Sequence, residues 1–184
     1  MKQVLIPFTT GVEEIELVAV VDILRRAEIE VCMASLEDLT VKGRSNIIIK
    51  ADVLLADVTR EVWDMIVLPG GLPNAHLLRD NVLVKSLICK QAEQGKSIAA
   101  ICAAPTALAA YGITKGKRVT SYPSFQDEMQ QTQPSSVYVD DIIVEDEFLI
   151  TSRGAGTAIE FVLYLVSVLC DQQKSDAVRT AIVA

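Results

Sequence analysis

The 184-residue sequence predicts one α/β domain, a doubly wound sandwich built on a mostly parallel sheet. Three observations predict it. Short β-branched runs alternate with longer helical patterns from the N-terminus onward. Two of these runs, Met65-Ile66-Val67-Leu68 and Ile98-Ala99-Ala100-Ile101, are apolar at every position, the pattern of central strands covered on both faces. No internal repeat or low-complexity linker divides residues 1–184, so the chain reads as a single domain.

The elements follow in order. Gln3–Phe8 reads as a buried strand and Glu14–Arg26 as a helix. Glu30–Ser35, Asn46–Lys50, Met65–Leu68 and Ser97–Ile101 read as further strands. Val82–Gln94 is helical, with Leu83, Leu87 and Ile88 on one face and Gly95 as its stop. Val137–Thr151 differs. It holds two or three β-rich segments between the acidic turns Asp140-Asp141 and Asp146-Glu147, read as antiparallel additions near a sheet edge. A last helix runs from Gly156 to about Cys170. The class is flavodoxin-like in broad terms, and such folds place their site beyond the C-terminal ends of the parallel strands. The residues just after Phe8, Leu68, Ile101 and Thr120 are therefore the ones to search.

Composition narrows the function classes. Hydrophobic residues make up 51% and charged residues 22%, which excludes a disordered or fibrous chain. Seventeen basic and 24 acidic side chains give a net charge of −7, with no basic cluster longer than two residues. That argues against a dedicated nucleic-acid surface. The apolar run Val4–Phe8 is too short for a signal peptide. The run Ala158–Cys170 falls short of the ~20 residues of a membrane span and contains Glu160. Cysteines 32, 89, 102 and 170 and the only histidine, His76, lack metal-ligand spacing. The expectation is a soluble cytoplasmic protein with reduced thiols, no membrane partner and no metal. His76 reads as a surface residue, and Cys32, Cys89 and Cys170 as packing residues.

Four positions carry the chemistry. Ile98–Ile101 runs directly into Cys102-Ala103-Ala104-Pro105-Thr106 and a helix through Leu108 to Tyr111. A nucleophile between a strand and a helix, flanked by small residues, is the nucleophile-elbow pattern, and a helix N-terminus lowers a thiol pKa. The alternative is a small buried core cysteine. The strand Met65–Leu68 ends on Pro69-Gly70-Gly71, where the backbone can approach a ligand. The N–H groups of Gly71 and Ala103 would then form an oxyanion hole; alternatively the glycines make a plain turn. Glu16 sits inside the apolar run Ile15–Val21 and is expected to be partly buried. It reads as a partner for Cys102 or for a substrate. Favourable charge near a helix N-terminus, or an ion pair with Arg26, is the bland alternative. Ser152-Arg153-Gly154-Ala155-Gly156-Thr157 is an anion-binding turn or merely a helix cap.

Together these segments resemble the ThiJ/PfpI (DJ-one) superfamily along essentially the whole chain, and within it the DJ-one/YajL-like branch. The resemblance rests on Gly11–Glu16, Val67–Gly71, Ala99–Thr106 and Leu149–Thr157, four motifs in order. It implies a reactive, oxidation-prone cysteine at Cys102 and a carboxyl at Glu16 that holds its thiolate or sulfinate. It implies backbone donors at Gly71 and Ala103, a pocket lined by Gly70, Tyr122, Arg153 and Gly154, no cofactor, and a homodimer. Activities credited to such proteins are glutathione-independent glyoxalase action on methylglyoxal, deglycation of early glycated groups, and chaperone-like protection. Ala103 stands where the peptidase branch has histidine, which argues against proteolysis. Tyr122 stands where many glyoxalase-competent relatives have histidine, and a phenol with pKa near ~10 is a poor base at neutral pH.

Two functions follow. One is a Cys102-dependent enzyme acting on a small reactive carbonyl or on glycated proteins. The other is an oxidative-stress sensor, or a redox-regulated chaperone for client proteins, acting through Cys102 oxidation.

Overall fold

Within each central strand, alternate side chains feed two separate cores. Val4, Ile6 and Phe8 enter one, and Leu5 enters the other. Met65 and Val67 oppose Ile66, as Ala99 and Ile101 oppose Ile98 and Ala100. A strand buried on both faces needs helices on both, and the chain supplies them.

The computed structural model describes residues 1–184. In chain order the elements are β1 (Gln3–Phe8), α1 (Glu14–Arg26), β2 (Glu30–Ser35), β3 (Thr40–Lys42), β4 (Ile48–Lys50), β5 (Val53–Leu54) and β6 (Met65–Leu68). Then come α2 (Asn74–Asp80), α3 (Val82–Glu93), β7 (Ser97–Ile101), α4 (Pro105–Ala110), β8 (Arg118–Val119), α5 (Gln126–Thr132) and β9 (Val137–Tyr138). The chain closes with β10 (Ile143–Asp146), β11 (Leu149–Ser152), α6 (Ala158–Leu169) and α7 (Gln172–Ile182). The main sheet has seven strands in the order β10-β11-β7-β6-β1-β2-β5. All of its pairings are parallel except β10 with β11. Helices α1 and α6 cover the first core; α2, α3, α4 and Met129 of α5 cover the second. The predicted doubly wound sandwich is the observed fold.

Several predicted elements need correction. Only β10 is an antiparallel addition to the sheet. β11 lies inside the sheet, parallel to β7, and its Leu149 and Ile150 feed opposite cores, so it is as buried as any central strand. β9 pairs in parallel with β8, outside the main sheet. The strand expected at Asn46–Lys50 is only Ile48–Lys50, because Gly43–Ile47 turns the chain back onto β3. In α3 the buried positions are Val84, Leu87, Ile88 and Gln91, with Leu83 turned outward. The last helical region starts as a 3-10 turn at Ala155–Thr157. A further helix, α7, was not expected, since its sequence is polar on average and it buries only Ser175 and Val178. Cys170 is exposed rather than packed, while Cys32 and Cys89 are half-buried. No helix is long and apolar enough to cross a membrane.

Candidate active site

From β1 the sheet grows outward to β2, and from the neighbouring β6 it grows the other way to β7. The crevice beyond β1 and β6 is therefore the topological switch point, where open α/β sheets place their ligands. Cys102 lies beside it, directly after β7.

The turn that carries Cys102 is strained. Its φ is 65°, a left-handed value that costs a residue with a side chain on the order of 1–3 kcal/mol unless its surroundings hold it. Here they do. Cys102 N–H donates to Ser152 O at 3.1 Å, and Cys102 O accepts Tyr122 N–H at 2.8 Å. Thr106 Oγ1 ties the start of α4 to Ala103 O at 2.7 Å. Ala103 and Ala104, which follow Cys102, are buried.

Glu16, in the first turn of α1, is fully buried. Its Oε2 accepts the Gly70 N–H at 2.8 Å. Its Oε1 is buried without a partner of good geometry. Burial pushes this carboxyl up to about 7, against the opposing pull of the Gly70 N–H and the Cys102 thiol. The thiol is pushed up to about 12 by its own burial and then by the Glu16 charge; the N–H groups of Gly71 and Ala103 act on the sulfur in the other direction. The expected lowering by the helix N-terminus is overturned, because desolvation and a neighbouring carboxylate outweigh it. Between about 7 and about 12 the two groups hold one proton between them.

The Pro69–Gly71 turn is clamped by a residue that was not singled out in the sequence. Asn74, fully buried at the start of α2, donates to Pro69 O and Gly70 O at 2.8 and 2.9 Å and accepts Thr9 N–H at 2.8 Å. Gly70 O also accepts Glu13 N–H at 3.1 Å. Gly71 has φ +87°, and a Cβ there would lie 2.3 Å from Gly11 O, so only glycine brings this N–H to the sulfur.

A cavity of about 230 Å³ opens above Cys102, lined by Arg44, Gly71, Leu72, Cys102, Ala103, Tyr122, Ser124 and Phe125. Gly70 lies beneath it, against Cys102 Cβ and Glu16. Gly154 packs on the Tyr122 ring, on the same side as the sulfur. Arg153 is not in the lining: its guanidinium pairs with Asp140, which draws it away. Arg44 was not anticipated. It enters from the turn between β3 and β4, pairs with Glu13 at 2.9 Å, and leaves most of its side chain in solvent. Glu14 holds this turn, its Oε1 accepting Ser45 N–H at 2.7 Å and Ile47 N–H at 3.3 Å. The acidic pair Glu13-Glu14 ahead of an apolar run was the one visible hint of it. No three acidic, cysteine or histidine side chains converge as a metal-binding group.

A cysteine held on a strained strand-to-helix turn at the switch point marks an α/β protein with a nucleophile elbow. Comparison with known proteins gives the family: residues 2–168 match the DJ-1/PfpI family, and the chain belongs to it. Protein dj-1beta of Drosophila melanogaster is 42% identical over 175 residues, covering 94% of this chain and 92% of that protein. The crystal structure of that fly protein superposes with a TM-score of 0.95 at 40% identity, over 100% of this chain and 98% of that one. The glutathione-independent glyoxalase DJR-1.2 of Caenorhabditis elegans is 37% identical over 165 residues, 90% of this chain and 87% of that protein. Protein DJ-1 homolog A of Arabidopsis thaliana is longer: the chain is 39% identical to it over 181 residues, which is 97% of this chain but 46% of that protein.

Proposed function

We propose that the protein is a cysteine-dependent, cofactor-free enzyme acting on reactive carbonyls, of the glyoxalase or deglycase type. The observation that carries this reading is Cys102 on a strained strand-to-helix turn, with φ 65°, beside the fully buried carboxyl of Glu16 and the N–H groups of Gly71 and Ala103. The name of the nematode relative supports it.

In the minor arrangement of the pair, with the proton on Glu16 rather than on the raised thiol, Cys102 is a thiolate and attacks the aldehyde carbon of an α-oxoaldehyde. The oxyanion that forms faces the Gly71 and Ala103 N–H groups and takes up the proton. Glu16, now a carboxylate, removes the hydrogen of the former aldehyde carbon and returns it to the ketone carbon through an enediol. The result is a 2-hydroxyacyl thioester on Cys102. Water cleaves it to the 2-hydroxy acid and regenerates the pair. One water is consumed, the aldehyde carbon is oxidised and the ketone carbon reduced, so no external oxidant or reductant enters. Tyr122 needs no role as a base in this sequence. Deglycation of protein amines or thiols would begin from the same thiolate.

The test is lactate formation from methylglyoxal by wild type and Cys102→Ala, followed as lactate because aldehyde loss alone also reports adducts on lysine and arginine. Lactate from wild type only is the expected result. Equal lactate from both proteins would remove the reading.

The same geometry favours a second reading, an oxidation-sensing or chaperone-like role. A sulfinate on Cys102 would accept hydrogen bonds from Gly71, Ala103 and a protonated Glu16. Peroxide titration followed by mass spectrometry tests it, and oxidation of Cys170 or Cys89 ahead of Cys102 would count against it. We also infer a homodimer, because Ile15 and Val18 on α1 and Ile47 and Ile48 at the β3–β4 turn are all more than half exposed.

A further inference from the structure

Resting on the reactive-carbonyl reading above, we propose that the pocket is built for α-oxoaldehydes with an aryl or similarly bulky apolar substituent, and that Leu72 and Phe125 set this preference. Once the aldehyde carbon is bonded to Cys102 and its oxygen faces the Gly71 and Ala103 N–H groups, the substituent has only the outer part of the cavity to occupy. Beyond Gly71, Cys102 and Ala103 the cavity is walled by Leu72, Tyr122 and Phe125, together with Arg44 and Ser124.

The aromatic part of the wall is fixed in advance. Phe125 ends the 3-10 turn Pro123–Phe125 and Tyr122 caps its start, the two joined by Phe125 N–H to Tyr122 O at 2.9 Å. Their rings meet edge to face, with centroids 6.5 Å apart and planes 65° from parallel. Leu72 is 43% exposed and Tyr122 48%, so apolar surface stands in water beside the nucleophile until something covers it. A methyl group covers little of it; an aromatic ring meets two rings and a leucine. Arg44, the one cation in the lining, pairs through Nη1 with Glu13 at 2.9 Å, which offsets part of its charge.

The balance is that of the smaller substrate. Phenylglyoxal plus one water gives mandelate, the aldehyde carbon being oxidised and the ketone carbon reduced. The experiment compares kcat/KM for mandelate from phenylglyoxal and for lactate from methylglyoxal, in wild type, Phe125→Ala, Leu72→Ala and Cys102→Ala. The expected wild-type ratio favours mandelate by about tenfold or more. Phe125→Ala and Leu72→Ala should each lower that ratio several-fold, through KM for phenylglyoxal more than through kcat. A wild-type ratio near one, or a high ratio that neither wall variant lowers, overturns the inference while Cys102-dependent lactate leaves the enzyme reading standing. Neither acid from wild type overturns both.

Discussion

The carboxyl of Glu16 and the backbone of Gly70 are in direct contact: Glu16 Oε2 accepts the Gly70 N–H at 2.8 Å, and a Cβ on Gly70 would lie 2.7 Å from that same oxygen. The glycine is required here by space. Its hydrogen lets a strand end, a nucleophile-bearing turn and a buried acid share one small volume.

Gly70→Ala follows directly. The added methyl would also lie 2.6 Å from Cys102 Cβ and 3.0 Å from Ile101 O, contacts that force the elbow or the acid to move. The expected cost is about 1–3 kcal/mol in stability. Lactate formation should fall at least about tenfold, since misplacement of a reacting group is amplified in rate. Thermal unfolding and the rate assay together check it, and a fully active Gly70→Ala protein would contradict the packing.

Glu16 makes stability depend on pH. Its folded value is raised from 4.5 to about 7, so between these the folded protein binds a proton that the unfolded chain has lost. Stability therefore falls as pH rises from about 4.5 to about 7 and levels off above, by about 3 kcal/mol in all. Glu16→Gln should abolish this slope in urea titrations run across that range. It should also cut kcat by roughly a hundredfold or more, as loss of an acid–base group does. In wild type, kcat/KM should rise through pH about 7 as the pair loses the first of its two protons.

The turn that carries Arg44 is held by the Glu14 carboxylate as well as by backbone bonds such as Arg44 N–H to Val12 O at 2.9 Å. Burial opposes the ionised form of Glu14, but the N–H donors of its own residue, Ser45 and Ile47 outweigh this and hold its pKa below the usual range. The stability it supplies is present above its unfolded value and lost as pH falls through the folded one. Glu14→Ala should cost about 1–3 kcal/mol, the penalty for buried donors left unpaired. Arg44→Ala should move the kcat/KM midpoint upward, because Arg44 helps hold the Glu16 pKa down. The shift should shrink in high salt, since most of the Arg44 side chain is in solvent.

The exposed apolar face of α1 gives the last expectation. Val18→Asp places a charge beside the exposed Ile15 and Ile159 and should turn a homodimer into a monomer in sedimentation velocity, with the secondary structure unchanged. A wild-type monomer at micromolar concentration would refute the dimer outright.

Much of this was legible in the sequence because it is local. The continuous apolar runs of β6 and β7, the periodicity of α1, and a cysteine between strand and helix with only alanines beside it are statements about neighbours in the chain. So is an acid inside an apolar helical run, which announced the burial of Glu16. What was not legible joins distant residues. Asn74 reaches Thr9 across 65 positions, Arg44 reaches Glu13 across 31, and Glu16 meets Gly70 across 54. No periodicity encodes such contacts, since they exist only once the loops of several strands converge at one end of the sheet. The thiol shows the difference most sharply. Its place in the chain suggested a pKa lowered by a helix N-terminus, while its folded surroundings raise it, because burial and the nearby Glu16 charge disfavour the thiolate more than nearby amides favour it. The sequence alone pointed to Cys102, Glu16, Gly71 and Ala103, because each stands out against its chain neighbours; the tertiary structure decided that they meet, and which side chains wall the cavity above the sulfur, because those contacts join distant residues.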